Sequence, residues 1–217
     1  MPANSQHHPL RIALSFEAMH APLAILLARQ RAEEPDTPIV FSEVLAADLF
    51  TGMEVGLYDV GIALGARTTD RLKARPIWHD EMAVAVPARS PLLSFPVIPL
   101  SVLADYPVVM WHPDTCTTMH QYVKALFERE ELALHVAAHA RSFEFMATLV
   151  AAGYGVGLAA RSWIDAARGA GIVARTFHAG DRTITASLLY DDHGVSERVV
   201  RFVERALCRS GQASWHA

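Results

Sequence analysis

Short apolar runs alternate with longer amphipathic segments over residues 10–65. The runs are short enough for strands, and the segments between them repeat apolar residues at helical spacing. In order they are LRIAL, SFEAMHAPLAILLARQRAEEPDTP, IVFSEVL, AADLFTGMEVGLYD and VGIALG. This order predicts strand, helix, strand, helix, strand, which is typical of right-handed βαβ units around a mainly parallel sheet. Such sheets bind ligands at the carboxyl ends of their strands, and the first of these ends is Ser15.

A second alternating half follows the proline-rich stretch RSPLLSFPVIP, which predicts an irregular connection. Two long extended runs, 76–87 and 182–190, are natural crossings between two lobes, and residues 66–75 read as a polar connector. The predicted elements of the second half are a strand PVVM, a helix from about Thr115 to Glu131, a strand LALHVAAH, a helix over 142–152, a strand YGVGLA, a short helix near 161–168, strands at 172–177 and ITASLLY, and a helix from Ser196 to about Cys208.

Seven segments together resemble the effector-binding domain of LysR-type transcriptional regulators. In the family's order they are LRIALS, LLARQRAEEPD, IVFSE, LFTGMEVGLYDVGIAL, RPIWHDEMAVAVPARSPL, LADYPVVM and SFEFMATLVAAGYGVGLAA. They extend over roughly residues 10–207, whereas the family's N-terminal winged helix-turn-helix and linker helix have no counterpart. The resemblance implies an α/β fold of two Rossmann-like lobes, of periplasmic-binding-protein type II architecture, joined by two crossing strands.

The resemblance also implies a domain organisation and a function. Lobe one would comprise residues 10–77 plus 183–209 and lobe two residues 78–182, with flexible termini at 1–9 and 210–217. The domain would bind a small polar metabolite between the lobes and thereby modulate transcription, without a cofactor and without enzymatic activity. DNA would be reached only through the missing N-terminal segment. A solute-binding protein or an enzyme on the same two-lobed fold stays open as the alternative.

Composition narrows the possible partners. Apolar residues make up 52% of the chain and charged residues 19%, as in ordered globular proteins. The net charge is −4 and the basic residues are scattered, which disfavours unaided binding to a nucleic acid. The chain shows neither a membrane span nor the pattern of an export signal, and it has two cysteines, Cys116 and Cys208. We therefore expect a cytoplasmic protein without membrane contact.

Candidate ligand-binding residues lie where strands give way to helices. Ser15 combines a hydroxyl with backbone N–H groups of a helical turn, although it could equally cap that helix, and the two roles are compatible. The resemblance implies that this position lines the effector cleft. Glu17 departs from the family pattern and puts a simple carboxylate effector in doubt. Pro22 indicates that the regular helix begins late.

The matching junction in lobe two is PDTCTT, residues 113–118. Helix capping would explain Thr115 and Asp114, but it explains Thr117 and Thr118 less well. Ser142 and Phe143 open the next helix near the pocket wall. The predicted ligand-binding set is Ser15, Phe16, Glu17, Ala63, Gly65, Thr115, Thr117, Thr118, Ser142 and Phe143.

One further pattern bears on metal binding. His112, Cys116 and His120 are spaced by four, as metal ligands on a helix can be, but Pro113 places His112 in a loop. We expect no metal site and no catalytic residue.

The helices at 22–31 and 143–151 carry more apolar surface than one core-facing stripe needs. That surplus favours a homodimer, as the resemblance also implies, with a tetramer for a full-length regulator; burial within each lobe is the alternative.

Overall fold

A computed structural model describes residues 8–18, 21–65, 68–193 and 195–208. Its strands are β1 (Leu10–Ser15), β2 (Ile39–Val44), β3 (Val60–Leu64), β4 (Leu72–Pro87), β5 (Val97–Pro99), β6 (Val108–Trp111), β7 (Val136–Ala140), β8 (Val156–Ala160), β9 (Ile172–His178) and β10 (Thr183–Asp191). Its helices are α1 (Ala21–Glu33), α2 (Ala46–Glu54), α3 (Leu100–Ala104), α4 (Thr117–Arg129), α5 (Phe143–Ala151), α6 (Arg161–Ala166) and α7 (Glu197–Leu207). Apart from His8 and Pro9, the termini predicted to be flexible lie outside the described residues.

The chain divides into two compact units. Unit 1 comprises Met1–Trp78 and Thr185–Ala217, and unit 2 comprises His79–Ile184. The chain passes from unit 1 into unit 2 within β4 and returns within β10, so each of these two strands contributes residues to both units.

Unit 1 contains a sheet with the strand order β2-β1-β3-β10. Strand β1 pairs in parallel with both β2 and β3, and β10 pairs antiparallel with β3. All five residues of β3 are buried, as expected for an inner strand covered on both faces. A Cβ at Gly61 would lie 2.8 Å from Cδ2 of Leu49, so this glycine allows α2 to approach the sheet closely.

Helix α7 packs beside α1 in unit 1. Ser196 caps α7 by accepting a hydrogen bond from the backbone N–H of Val199 at 3.4 Å, which confirms the predicted cap. One face of α7 is buried along its length, at Val199, Phe202, Val203 and Ala206. Helix α1 begins at Ala21, directly before Pro22, which confirms that the regular helix starts late.

A charge cluster lies between the same two helices. Arg205 donates to Glu33 at 2.6 Å and to Glu34 at 3.1 Å, and also to the side-chain oxygen of Gln30. Arg201 donates to Glu34 at 2.6 Å, and this hydrogen bond is the main reason why the pKa of Glu34 falls from 4.5 to about 2. Because the Arg205 side chain is only 6% exposed, its partners replace the water it has lost.

Unit 2 contains a sheet with the order β5-β9-β4-β8-β6-β7. Strand β6 pairs in parallel with β7 and β8, whereas β4 pairs antiparallel with β8 and β9. Residues 82–86 of β4 and all of β8 are buried. The carboxyl ends of β6 and β7 lie side by side, which brings the segments after Trp111 and after Ala140 to one edge of the sheet.

Several elements differ from the prediction. The prediction that residues 66–75 form a polar connector was wrong at its C-terminal end. Strand β4 begins at Leu72, and its first side chains alternate between more buried and more exposed positions. The proline-rich stretch is less irregular than predicted, since it contains a 3-10 turn at Pro91–Ser94 and β5, which pairs with β9. Strand β7 begins at Val136, so the first residues of LALHVAAH are not strand.

Candidate functional site

The junction after β1 is tightly packed. Ser15 and Glu17 are buried, Phe16 is exposed, and residues Phe16–Ala18 form a single 3-10 turn. The Oγ atom of Ser15 has no hydrogen-bond partner among the described residues, so it caps no helix there. A buried hydroxyl without a partner costs about 1–3 kcal/mol, which makes Ser15 a candidate for a polar group supplied by a ligand.

A second buried hydroxyl lies in the same row of the sheet. Ser187 of β10 pairs with Ala63 of β3, and extending the β1–β3 register by one residue places Ser15 on the other side of Ala63. Paired residues point to the same face of a sheet. The Oγ atom of Ser187 also lacks a partner among the described residues. Ala63 therefore separates two buried serines, and it is itself part of a buried apolar cluster with Leu49 and Met53 of α2.

Gly65 follows β3 with a φ of +74°, a conformation that glycine adopts without strain. Its backbone N–H donates to the carbonyl of Thr185 at 3.2 Å. Gly65 thus ends β3 with a turn that is tied to β10, and its contribution to the site is backbone geometry rather than a side chain.

The junction after β6 in unit 2 is more open. The turn runs from His112 to Cys116, and α4 begins at Thr117, with Cys116 as its N-cap residue but without a capping side chain. Neither Thr115 nor Asp114 therefore caps this helix. The Oγ1 atom of Thr115 is buried and has no partner among the residues described, which makes it the unit 2 counterpart of Ser15.

Two further threonines follow Thr115. The hydroxyl of Thr117 donates to the carbonyl of Pro113 at 2.7 Å, so its proton is used to hold the turn together. Thr118 is partly buried in the first turn of α4. The structure therefore gives the three predicted threonines different roles, and Thr115 has the hydroxyl best suited to meet a ligand.

Basic side chains surround this turn. The rings of His112 and His120 lie 6.1 and 6.2 Å from the ring of His139, measured between centroids. His112 receives the backbone N–H of Asp114 at Nδ1 and faces the Arg141 guanidinium at Nε2, at 3.3 and 3.4 Å. A neutral imidazole accepts at only one nitrogen, so the two donors compete for it. An acidic group of a ligand would give Arg141 a better acceptor.

Aromatic residues lie beside the same turn. The Trp111 ring is 5.9 Å from Trp163, and Trp163 is 5.8 Å from Phe143. The indole N–H of Trp111 donates to the carbonyl of Leu158 at 2.7 Å, which fixes the ring. Ser142 caps α5 by accepting from the N–H of Phe145 at 3.3 Å. Ser142 thus has a structural role here, and Phe143 belongs to an apolar wall.

The structure brings the predicted residues together in two groups, one in each unit. Ser15, Phe16, Glu17, Ala63 and Gly65 lie at the carboxyl ends of β1 and β3. Thr115, Thr117, Thr118, Ser142 and Phe143 follow β6 and β7.

Sequence reasoning missed three residues of interest: Ser187, Arg141 and Trp163. A serine at an inward position of an apolar strand could have pointed to Ser187, and a cation beside a helix cap to Arg141.

The described residues contain no group of three or more His, Cys, Asp or Glu side chains placed to hold a metal ion. Within the same residues, no helix is both long enough and apolar enough to cross a membrane.

The family model of the LysR substrate binding domain matches residues 3–209. The chain belongs to this family. No curated protein sequence matches the chain. Among solved structures, the effector-binding domain of QuiR in complex with shikimate has a TM-score of 0.83 at 15% identity, covering 94% of this chain and 98% of that one. The BenM effector-binding domain with its effector benzoate gives 0.80 at 17%, covering 91% and 90%.

Full-length CbnR complexed with its target DNA is also similar, with a TM-score of 0.82 at 16% identity. The alignment covers 95% of this chain and 72% of the CbnR chain. The predicted family and the α/β fold class, of periplasmic-binding-protein type II, are confirmed. The chain is a ligand-sensing regulatory domain of the LysR type.

Proposed function

We propose that this domain senses a small polar metabolite through hydroxyls of both units, chiefly Ser15 of unit 1 and Thr115 of unit 2. The observation that carries the proposal is that each hydroxyl is buried at a strand end and lacks a partner among the described residues. A ligand that supplies hydrogen bonds to both would remove two desolvation penalties. A ligand stabilises the conformation that binds it, so binding would shift the population towards that conformation.

The chemistry of the two junctions suggests the polarity of the effector. Glu17 places a carboxyl group in the unit 1 turn, whereas Arg141 places a guanidinium group beside the unit 2 turn. An effector with hydroxyl groups for Ser15 and an acidic group for Arg141 would satisfy both. Glu17 would then disfavour a carboxylate only at the end of the effector that binds unit 1.

We further propose that the domain acts without catalysis. A serine nucleophile needs an adjacent base that accepts its proton, and the Ser15 hydroxyl makes no hydrogen bond to any described residue. The family and the similar structures are transcriptional regulators, which supports regulation over an enzyme or a transport-associated binding protein. Contact with DNA would come from a segment other than this domain, in keeping with the net charge of −4.

The test is a thermal-shift panel of hydroxylated and aromatic small acids that includes shikimate and benzoate. A compound at a hundred times its Kd should stabilise the folded chain by about 2.7 kcal/mol. Ser15→Ala and Thr115→Val should each reduce the response to a stabilising compound, whereas Ser101→Ala and Thr148→Val, at exposed positions, should not. A hit whose affinity survives both changes would place the site elsewhere.

We also propose that the domain forms a homodimer through α1 and α5. Leu23 and Leu26 of α1 are buried within unit 1, so they are not available for an interface. Leu27 of α1 is only partly buried, and Phe145 of α5 is 51% exposed. Exposed apolar side chains on these helices support a contact in which α1 of one chain meets α5 of its partner.

Sedimentation tests the dimer. Phe145→Glu and Leu27→Glu should each yield a folded monomer, because a charge would be buried without a partner in the interface. Leu57→Glu, at an exposed apolar position that belongs to neither helix, is the control and should stay dimeric. A wild-type chain that sediments as a monomer as its concentration rises would contradict the proposal.

A further inference from the structure

A small cavity in unit 2 lies between the 3-10 turn at Pro91–Ser94, strand β9 and helix α6. Its volume is about 300 Å³. The lining residues are Leu93, Ser94, Phe95, Pro96, Arg161, Ala174, Arg175 and Thr176. Two guanidinium groups therefore line this cavity, and no carboxylate does. None of these residues belongs to the effector site proposed above.

Arg161 is held in place but not neutralised. Its Nε donates to Glu81 at 3.1 Å and its Nη2 to the hydroxyl of Thr176 at 2.6 Å. Glu81 also accepts from Nε of Arg182 at 3.0 Å, so one carboxylate serves two guanidinium groups. Burial alone would raise the pKa of Glu81, but the hydrogen bonds from Arg182 and Arg161 outweigh it and lower the pKa. The three groups together keep one positive charge.

Arg175 has even fewer internal partners. Its Nη1 donates to the neighbouring carbonyl of Ala174 at 3.2 Å, and no described carboxylate lies within ion-pair distance. Its backbone is fixed in β9 opposite Val84 of β4. The Nε and Nη2 donors of Arg175 have no acceptor among the described residues, so they can donate to a ligand.

The rest of the lining suits an anion. Thr176 accepts from Arg161, so its own hydroxyl proton is free to point into the cavity. Leu93, Phe95 and Pro96 contribute apolar walls. Hydrogen bonds from guanidinium groups to an oxyanion are charge-assisted, so the two arginines would be the main source of affinity. The volume matches the lower end of small-molecule sites.

We propose that this cavity is a second ligand site, which binds the phosphate or carboxylate group of a small metabolite through Arg161, Arg175 and Thr176. The site is separate from the strand-end hydroxyls, so it would give the domain a second chemical input. Its existence does not depend on the effector proposal, since the two share no residue.

The test is isothermal titration of the whole chain with inorganic phosphate and with malonate at low ionic strength. We expect saturable binding of at least one anion. Arg175→Gln should weaken it about tenfold, because charge-assisted hydrogen bonds to the anion are lost. Arg89→Gln removes the same charge from an exposed position of unit 2 and should leave the affinity within about twofold, as expected if site geometry outweighs net charge. Since Arg175 makes no ion pair, the variant should keep the wild-type melting temperature.

The outcomes separate the possibilities. If phosphate binds more tightly than malonate, the natural ligand carries a phosphate group. If malonate binds more tightly, the ligand is a carboxylate. Equal affinities indicate a general oxyanion site. Absence of saturable binding, an unchanged affinity in Arg175→Gln, or an equal loss in Arg89→Gln would overturn the proposal. Ser15→Ala should bind the anion like the wild type, so failure of the effector proposal and failure of this one are distinguishable.

Discussion

Arg205 in unit 1 and Arg141 in unit 2 use the same side chain in opposite ways. The Arg205 side chain is 6% exposed and donates to Gln30 and Glu33 of α1 and to Glu34, which directly follows that helix. Arg141 is exposed beside the turn after β6, and its guanidinium contacts only the ring of His112, at 3.4 Å, among the described residues.

The hydrogen-bond partners of an arginine therefore distinguish a charge that stabilises the fold from a charge that is available to a ligand. When a buried arginine is bonded to partners in its own fold, its removal takes hydrogen bonds from those partners and costs stability. When its donors face a turn and lack an acidic partner, its removal costs little stability but deprives a ligand of a hydrogen-bonding group.

The largest effect is expected for Arg205→Ala. The change leaves the buried Gln30 side chain without its donor and removes the hydrogen bonds to Glu33 and Glu34, so the free energy of unfolding should fall by about 3 kcal/mol. Urea unfolding followed by circular dichroism measures it. Arg31→Ala, at an exposed position of α1, is the control and should change stability by less than about 0.5 kcal/mol. Similar small losses in both variants would mean that the cluster does not stabilise unit 1.

A smaller effect is expected from pH. The pKa of Glu34 is lowered from 4.5 to about 2, chiefly by the hydrogen bond from Arg201. The folded state thus favours the ionised carboxyl, and this stabilisation is complete above about pH 4.5 and is lost as the pH falls towards 2. Urea midpoints of the wild type and Arg201→Gln should differ most at neutral pH and converge in acid. A gap that is constant across this range would rule out Glu34 as the titrating partner.

The smallest effect on stability, and a clear effect on binding, is expected for Arg141→Gln. Loss of the guanidinium should weaken an acidic effector about tenfold, and unfolding should change by less than about 0.5 kcal/mol. Calorimetry with a compound found in the thermal-shift panel measures the first, and urea unfolding the second. Arg141→Lys should recover part of the affinity, since it restores the charge without the planar fork. Full affinity in Arg141→Gln would remove Arg141 from the site.

Local patterns predicted most of the fold. Strand β3 is an unbroken apolar run and is buried throughout. The cap at Ser196 is a hydrogen bond to Val199, three residues along the chain, so local sequence is enough to predict it. The start of β4 was missed because its outward positions carry Lys73 and Arg75, which gave a polar appearance to an alternating strand. Strand β5 was missed because three residues become a strand only by pairing with β9, far along the chain.

The candidate site was predicted in position but not in detail. Strand ends located Ser15 and Thr115, because parallel sheets bring their carboxyl ends together. Whether a hydroxyl caps a helix, holds a turn or stays without a partner depends on distances of a few tenths of an ångström, which no pattern encodes. Thus Thr117 proved to bond Pro113, and Ser187 was found only when β10 was placed beside β3.

We propose that one effector engages the strand ends of both units, and amide NMR shifts on saturation with that effector test this proposal. Ser15→Ala and Thr115→Val samples serve as controls for assignment. Shifts are expected at 15–18 and 63–65 in unit 1 and at 112–118 and 141–143 in unit 2, with α7 unchanged. Shifts confined to one unit, or centred on residues outside both strand ends, would contradict it.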